Sequence, residues 1–176
     1  MKNSKNIFNG VFPILSTPFD DQGNINFQDL TRQVDWNLEM GVHGIGIAMA
    51  SEIFKLSEHE RDQVLSTVVK DVKERIPVVM NTGAEGTFLS IQYSKKAENL
   101  GANALMIRPP VLMGVHPLEV KNFFIQVAEK VNIPIFMQDQ PDAQISPQMA
   151  ISLSQKHENL CYVKCETPPT VPRVKE

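Results

Sequence analysis

Among the ionisable side chains of this 176-residue chain, Lys164 has the setting best suited to covalent chemistry. It lies in the run Tyr162-Val163-Lys164-Cys165-Glu166, which reads as a strand. Cys161, Val163 and Cys165 would then face one way and Tyr162, Lys164 and Glu166 the other. A lysine turned into the interior of a closed parallel sheet loses hydration, which favours the neutral amine that adds to a ketone carbon. The alternative is a lysine that snorkels to solvent from a strand end, and alternation by itself leaves both readings open.

Such a lysine needs strands to aim it, and the chain supplies them at a regular interval. Short apolar runs at 11–16, 44–48, 78–81, 104–107, 134–138 and 161–165 alternate with segments of helical period. Asn26 caps a helix carrying Leu30, Val34, Trp36 and Leu38 that stops near Gly41. Ser57 and Glu60 have capping-box spacing before Val64, Leu65, Val68 and Val69. Thr87 is read as the cap of a helix through Ile91 and Leu100, closed by Gly101. Pro109 and Pro110 force an extended exit from the fourth run. Pro117 opens a helix reaching Val131, and Ser146-Pro147 opens one carrying Met149, Ile151 and Leu153. The fold class is therefore α/β with parallel βα units. Run starts roughly 25 to 35 residues apart fit either a TIM barrel or a doubly wound sheet. No G-x-G-x-x-G follows any run, so the dinucleotide-binding form of the open sheet has no fingerprint.

In parallel-barrel enzymes reacting groups sit at the C-terminal ends of strands. Those ends here hold Thr17, Ser51 with Glu52, Asn81 with Thr82, Arg108, Gln138 with Asp139, and Lys164 with Glu166. Ser51 either binds a carboxylate with neighbouring N–H groups or is a structural serine ahead of a helix. Asp139 is either a general base or a buried hydrogen-bonding residue below the site. Asn81 and Thr82 either touch substrate or fix the turn at Gly83.

Composition removes several function classes. A net charge of −3 with both signs spread along the chain offers no basic stripe for nucleic acid. No apolar run approaches the ~20 residues of a membrane span, and the first residues lack the apolar stretch of a secretory signal, so a cytoplasmic protein is expected. Cys161 and Cys165, four apart in a strand, stand roughly 13 Å apart, too far for a disulfide. His43, His59, His116 and His157 show no metal-ligand spacing and read as surface or capping residues. Neither metal nor cofactor is expected.

The segment VFPILSTPFDDQGNINF (residues 11–27), together with VVMNTG at 78–83 and YVKCET at 162–167, resembles the dihydrodipicolinate synthase and N-acetylneuraminate lyase superfamily. The match runs in order and spacing across essentially the whole chain. The resemblance implies a TIM (β/α)8 barrel, of which residues 1–176 would supply about the first six βα units of a single domain. A full barrel takes ~250 residues, so strands seven and eight and the C-terminal helices are expected to be absent and the isolated chain to be a fragment with little activity. The resemblance also implies that Lys164 forms a Schiff base with a small-molecule 2-keto acid, with Gln138 as its catalytic companion. Ala50, Ser51, Glu52, Asp139 and Glu166 would contact substrate, and the full-length form would be a homo-oligomer, a tetramer.

Departures from the family pattern narrow the chemistry. Where the family has G-T-T-G-E or G-S-T-G-E, this chain has Ala48-Met49-Ala50-Ser51-Glu52. Where it has a proton-shuttling tyrosine in Y-N-x-P, this chain has Gln138-Asp139-Gln140-Pro141. Pro110 and Val111 replace paired tyrosines. An amide can orient a water or a hydroxyl but cannot act as acid or base. The pattern is more similar to the branch that dehydrates 2-keto-3-deoxy sugar acids. Retro-aldol cleavage or condensation with pyruvate, and a non-catalytic remnant, stand as alternatives.

Overall fold

The computed structural model describes residues 8–175. They form two compact units, the first from residues up to 81 with 99–103, the second from 82–98 with 104 onward.

In the first unit α1 (Phe27–Glu39) starts where Asn26 accepts a hydrogen bond from the Asp29 N–H, as its spacing predicts. It buries Leu30, Val34 and Asn37, while Trp36 is 60% exposed and does not join the core. Next comes β1 (Ile45–Ile47), then two 3₁₀ turns, Met49–Ser51 and Ile53–Lys55. The reciprocal Ser57–Glu60 capping box opens α2 (Glu58–Val72), which buries Val64, Leu65, Val68 and Val72. The Thr31 hydroxyl ties α1 to Asp71 of α2 at 2.7 Å. β2 (Val78–Asn81) pairs with β1 in parallel, Ile45 opposite Val78 and Ile47 opposite Met80. Both strands are buried on both faces, as parallel strands covered by helices are.

The expected strand at 11–16 is reduced to a bridge between Ile14 and Gly46. Leu15 N–H donates to the Gly46 carbonyl at 3.0 Å and Gly46 N–H to the Pro13 carbonyl at 2.9 Å. Pro13 and Pro18 have no N–H to extend a ladder, so the segment lies beside β1 without becoming a full strand. The Phe12 ring packs directly on Gly44: a Cβ there would come within 1.9 Å of the ring, which would have to move aside.

The second unit holds α3 (Thr87–Asn99), β3 (Ala104–Ile107), α4 (Pro117–Ala128), β4 (Ile135–Asp139), α5 (Pro147–Ser154), β5 (Tyr162–Cys165) and α6 (Thr170–Lys175). Thr87 is the first helical residue of α3 rather than its cap, and the Gly86 carbonyl takes the first helical bond, from Ser90 N–H. His116 caps α4 through its ring nitrogen, and that helix ends at Ala128, short of the expected Val131. Ser146 caps α5 as expected. β3, β4 and β5 run parallel, with Leu105 opposite Ile135 and Phe136 opposite Tyr162. Leu105, Ile107, Phe124, Ile135, Met137, Leu153 and Leu160 form the fully buried core of this unit. β5 is the least covered of the three strands, with Val163 42% exposed. Among the described residues no helix is long and apolar enough to cross a membrane.

The α2 cap offers a direct check on this local reading. Ser57→Ala removes the hydroxyl that accepts from Glu60 N–H and is expected to cost about 1 kcal/mol, read as a lower urea midpoint at unchanged slope.

Candidate active site

Strands β4 and β5 meet so that Gln138 stands opposite Lys164 and Phe136 opposite Tyr162. The Phe136 and Tyr162 rings stack with centroids 4.5 Å apart and planes 14° apart, which fixes the shared face one step before the polar pair. Lys164 Nζ lies 2.9 Å from Glu166 Oε1. Gln138 Nε2 donates to Glu166 Oε2 at 2.8 Å, and Gln140 Nε2 reaches the same oxygen at 3.3 Å. Gln138 is buried, whereas the Lys164 and Glu166 side chains keep about a third of their surface, 31% and 35%. The cluster is thus an ammonium, a carboxylate and two amides on a face that small molecules can reach.

Glu166 feels opposing influences. Partial burial pushes its carboxyl up, but the hydrogen bonds from Lys164, Gln138 and Gln140 and the Lys164 charge together hold it below the ordinary 4.5. Burial, with a smaller contribution from Cys161, raises the Tyr162 phenol above its usual 10.0.

Asp139 follows Gln138 and therefore takes the opposite face of β4, with Ile135 and Met137. Its carboxylate is 1% exposed and is occupied by the chain's own donors. Ile145 N–H donates at 2.9 Å, Arg173 Nη2 at 3.0 Å and Thr167 N–H at 3.4 Å, and the Cys165 thiol sits 3.8 Å away. Arg173 also donates to the Ile145 carbonyl at 3.2 Å. This side chain ties β5, the loop after β4 and α6 into one frame, in keeping with the buried hydrogen-bonding alternative.

Ala50, Ser51 and Glu52 belong to the first unit. Ala50 is exposed. The Ser51 hydroxyl is buried, donates to the Leu15 carbonyl and accepts from Ala48 N–H at 3.1 Å. Thr17 in turn donates to the Ser51 carbonyl at 2.5 Å. Glu52 has a left-handed backbone, φ 61°, and its carboxylate pairs with Lys55 at 2.5 Å. Asn81 is buried and its carbonyl accepts from Arg61 at 3.2 Å. In the second unit the Thr82 hydroxyl lies 2.9 Å from the Ser94 hydroxyl and its carbonyl accepts from Ser90, so both groups face α3.

Neither Cys161 nor Cys165 is part of a disulfide. His43 accepts from Val11 N–H at 3.0 Å and His116 caps α4, so both do local backbone work. Among the described residues no group of three or more His, Cys, Asp or Glu could hold a metal ion. Gln140 and Arg173 went unnoticed in the sequence. Gln140 shares the two-residue phase of Gln138 and could have been found that way. Arg173, distant in sequence and in a proline-rich segment, carried no such signal.

Comparison with known proteins follows the same pattern. Residues 7–173 match the Dihydrodipicolinate synthetase family. The chain is 30% identical over 173 residues to an L-2-keto-3-deoxyarabonate dehydratase of Azospirillum brasilense, covering 95% of this chain and 56% of the relative. It is also 30% identical over 161 residues to a 4-hydroxy-tetrahydrodipicolinate synthase of Bacillus subtilis, covering 89% and 56%. A dihydrodipicolinate synthase crystal structure superposes with a TM-score of 0.90 at 29% identity, over 95% of this chain and 59% of that one. One from Acinetobacter baumannii in complex with pyruvate gives 0.90 at 26% identity, over 94% and 58%. The chain therefore spans a little over half the length of these relatives, and its βα succession is that part of the TIM barrel. It belongs to the dihydrodipicolinate synthetase family of lyases.

Proposed function

We propose that Lys164 forms an imine with C2 of a 2-keto-3-deoxy sugar acid and that the reaction is a dehydration. The observation that carries this reading is the in-register pair Gln138 and Lys164 with Glu166 held 2.9 Å from Nζ. In the ion-paired state the ε-nitrogen carries its proton and must lose it before attack, and Glu166 is placed to receive it. The amine adds to the ketone, Glu166 passes its proton to the carbinolamine hydroxyl, which leaves as water, and the iminium draws electrons from C3. Glu166 is again the nearby base for a C3 proton, which yields an enamine. The enamine expels the C4 hydroxyl, which takes from Glu166 the proton removed from C3 and leaves as water, and hydrolysis of the conjugated iminium frees Lys164.

Gln138 favours dehydration over carbon–carbon bond chemistry. It holds Glu166 at 2.8 Å and can orient a departing hydroxyl, but it supplies no proton. Retro-aldol cleavage or condensation with pyruvate would use the same enamine and would need a proton relay that an amide cannot provide. The 30% identity to a sugar-acid dehydratase supports the same choice. Asp139 acts as a positioning residue in this scheme. A cytoplasmic homo-oligomer, tetrameric in its full-length form, completes the reading, and the exposed apolar Leu112 and Met113 suit such association.

Two measurements check it. Incubation with pyruvate or 2-keto-3-deoxy acids and borohydride is expected to add one substrate mass at Lys164, seen by intact-mass spectrometry and peptide mapping, and to add none in Lys164→Arg. A folded wild-type protein that gives no adduct with any of these acids would replace this mechanism with the non-catalytic reading. The second measurement uses the Glu166 carboxyl. Because its folded value lies below 4.5, the stability it contributes is complete above that ordinary value and is lost as pH falls through the lower folded one. The denaturation midpoint difference between wild type and Glu166→Gln should therefore be largest near about pH 7 and shrink toward about pH 3. A difference independent of pH would remove the charged cluster from the account.

A further inference from the structure

A second polar cluster stands in the same row as the lysine. Ile107, the last residue of β3, pairs with Met137 of β4, and Gln138 pairs with Lys164, so the register continued one residue past β3 brings Arg108 level with Gln138. Side chains at these matched positions share one face of the three strands. With strands spaced ~4.8 Å, the Arg108 backbone stands roughly 10 Å from that of Lys164. The Arg108 side chain is 16% exposed. Its guanidinium lies 3.5 Å from Glu85 Oε1 and 3.9 Å from Asp142 Oδ2, both looser than the ~2.8 Å of a tight charge-assisted hydrogen bond. Glu85 is anchored through its other oxygen, which accepts from the N–H groups of Val111 and Leu112 at 2.9 Å each. Asp142 is 60% exposed, in the turn that follows β4.

We propose that Arg108, Glu85 and Asp142 form the specificity-determining set for the substrate tail, reading its hydroxyl groups and rejecting a second anionic group. The assignment of an end to the tail rests on the imine at Lys164. A chain of about five carbons, at ~1.5 Å for each C–C bond, extends far enough from that imine to bring its last hydroxyls within reach of a long arginine side chain. A hydroxyl both donates and accepts, so seated beside this cluster it accepts from the guanidinium and donates to a carboxylate. A terminal carboxylate or phosphate could take the guanidinium but would face Glu85 and Asp142 at close range. One positive charge against two negative ones makes that contact repulsive overall. The cluster therefore discriminates by charge as well as by hydrogen bonding.

Titration calorimetry with a neutral-tailed 2-keto-3-deoxy sugar acid and with its counterpart ending in a carboxylate tests the proposal, using the full chain. Borohydride trapping of pyruvate, which has no tail, runs in parallel. Wild type is expected to bind the neutral-tailed acid at least about tenfold more tightly than the carboxylated one, an energy difference of about 1.4 kcal/mol. Arg108→Ala should lower the affinity for the neutral-tailed acid, relative to pyruvate trapping, by a similar factor. Glu85→Gln with Asp142→Asn should narrow the preference toward unity, since the glutamine oxygen still accepts from Val111 and Leu112. Equal binding of the two acids by wild type, or an Arg108→Ala loss shared equally by pyruvate trapping, overturns the proposal. Discrimination by calorimetry with no pyruvate adduct would keep this subsite and remove the imine; an adduct without discrimination would do the reverse.

Discussion

The arrangement at the candidate site depends on the phase of β4 against β5. In a strand, neighbouring residues take opposite faces, so the pairing of Gln138 with Lys164 sends the amide and the amine the same way and turns Asp139 to the other side. A slip of one residue would exchange those roles, placing a carboxylate beside the amine and an amide among the apolar side chains. Stacking of Phe136 on Tyr162 opposes that slip by giving the register an apolar footing two pairs earlier, on the same face. The Glu166 N–H donating to the Asp139 carbonyl at 2.9 Å continues the same ladder into the residue that grips Lys164. Chemistry on one face and support on the other are consequences of one pairing.

The supporting face shows why two adjacent acids can do different things. Asp139 is buried, and a buried carboxylate persists only where donors and a cation answer it. Ile145, Thr167 and Arg173 do so, and each belongs to a different segment of the second unit. Arg173 is itself largely enclosed, so loss of the aspartate would leave a buried charge without its counter-ion, the costlier half of breaking such a pair. Glu166 sits at the margin, partly hydrated, and keeps an oxygen near a reactive nitrogen. Its carboxyl is held low by the very groups that would take part in reaction, so its proton affinity rises once Lys164 has given up its charge.

Much of this was legible from residue order. The apolar runs at 78–81 and 104–107 are strands with those bounds, and the caps at Asn26, Ser57 and Ser146 hold because each needs only a side-chain oxygen three residues before a free N–H. The two-residue phase that sets Lys164 against its neighbours was also visible. The first run at 11–16 misled because its apolar pattern suits a strand while Pro13 and Pro18 withhold the donors a ladder requires. Trp36 misled because a helix buries a stripe, and a large apolar residue off that stripe stays in water. Thr87 was placed one residue out of phase with the real helix start. The Arg173 pairing with Asp139 spans 34 residues and depends on tertiary placement that no local period encodes.

Ser51 shows how a departure from a family pattern can preserve a backbone while altering a site. Its hydroxyl closes the turn after β1 by holding Ala48 N–H and the Leu15 carbonyl, and Thr17 secures its carbonyl from the same side. A hydroxyl so engaged is committed to shape, and the Ser51 and Glu52 N–H groups are likewise taken up by the Ala48 and Met49 carbonyls. The next residue, Glu52, takes a left-handed conformation that favours glycine, and its carboxylate pairs with Lys55. The local strain of that backbone is thus borne where the chain turns from strand to helix. Variation in the side chains of residues 48–52 then touches the first strand segment through Leu15 before it touches any ligand.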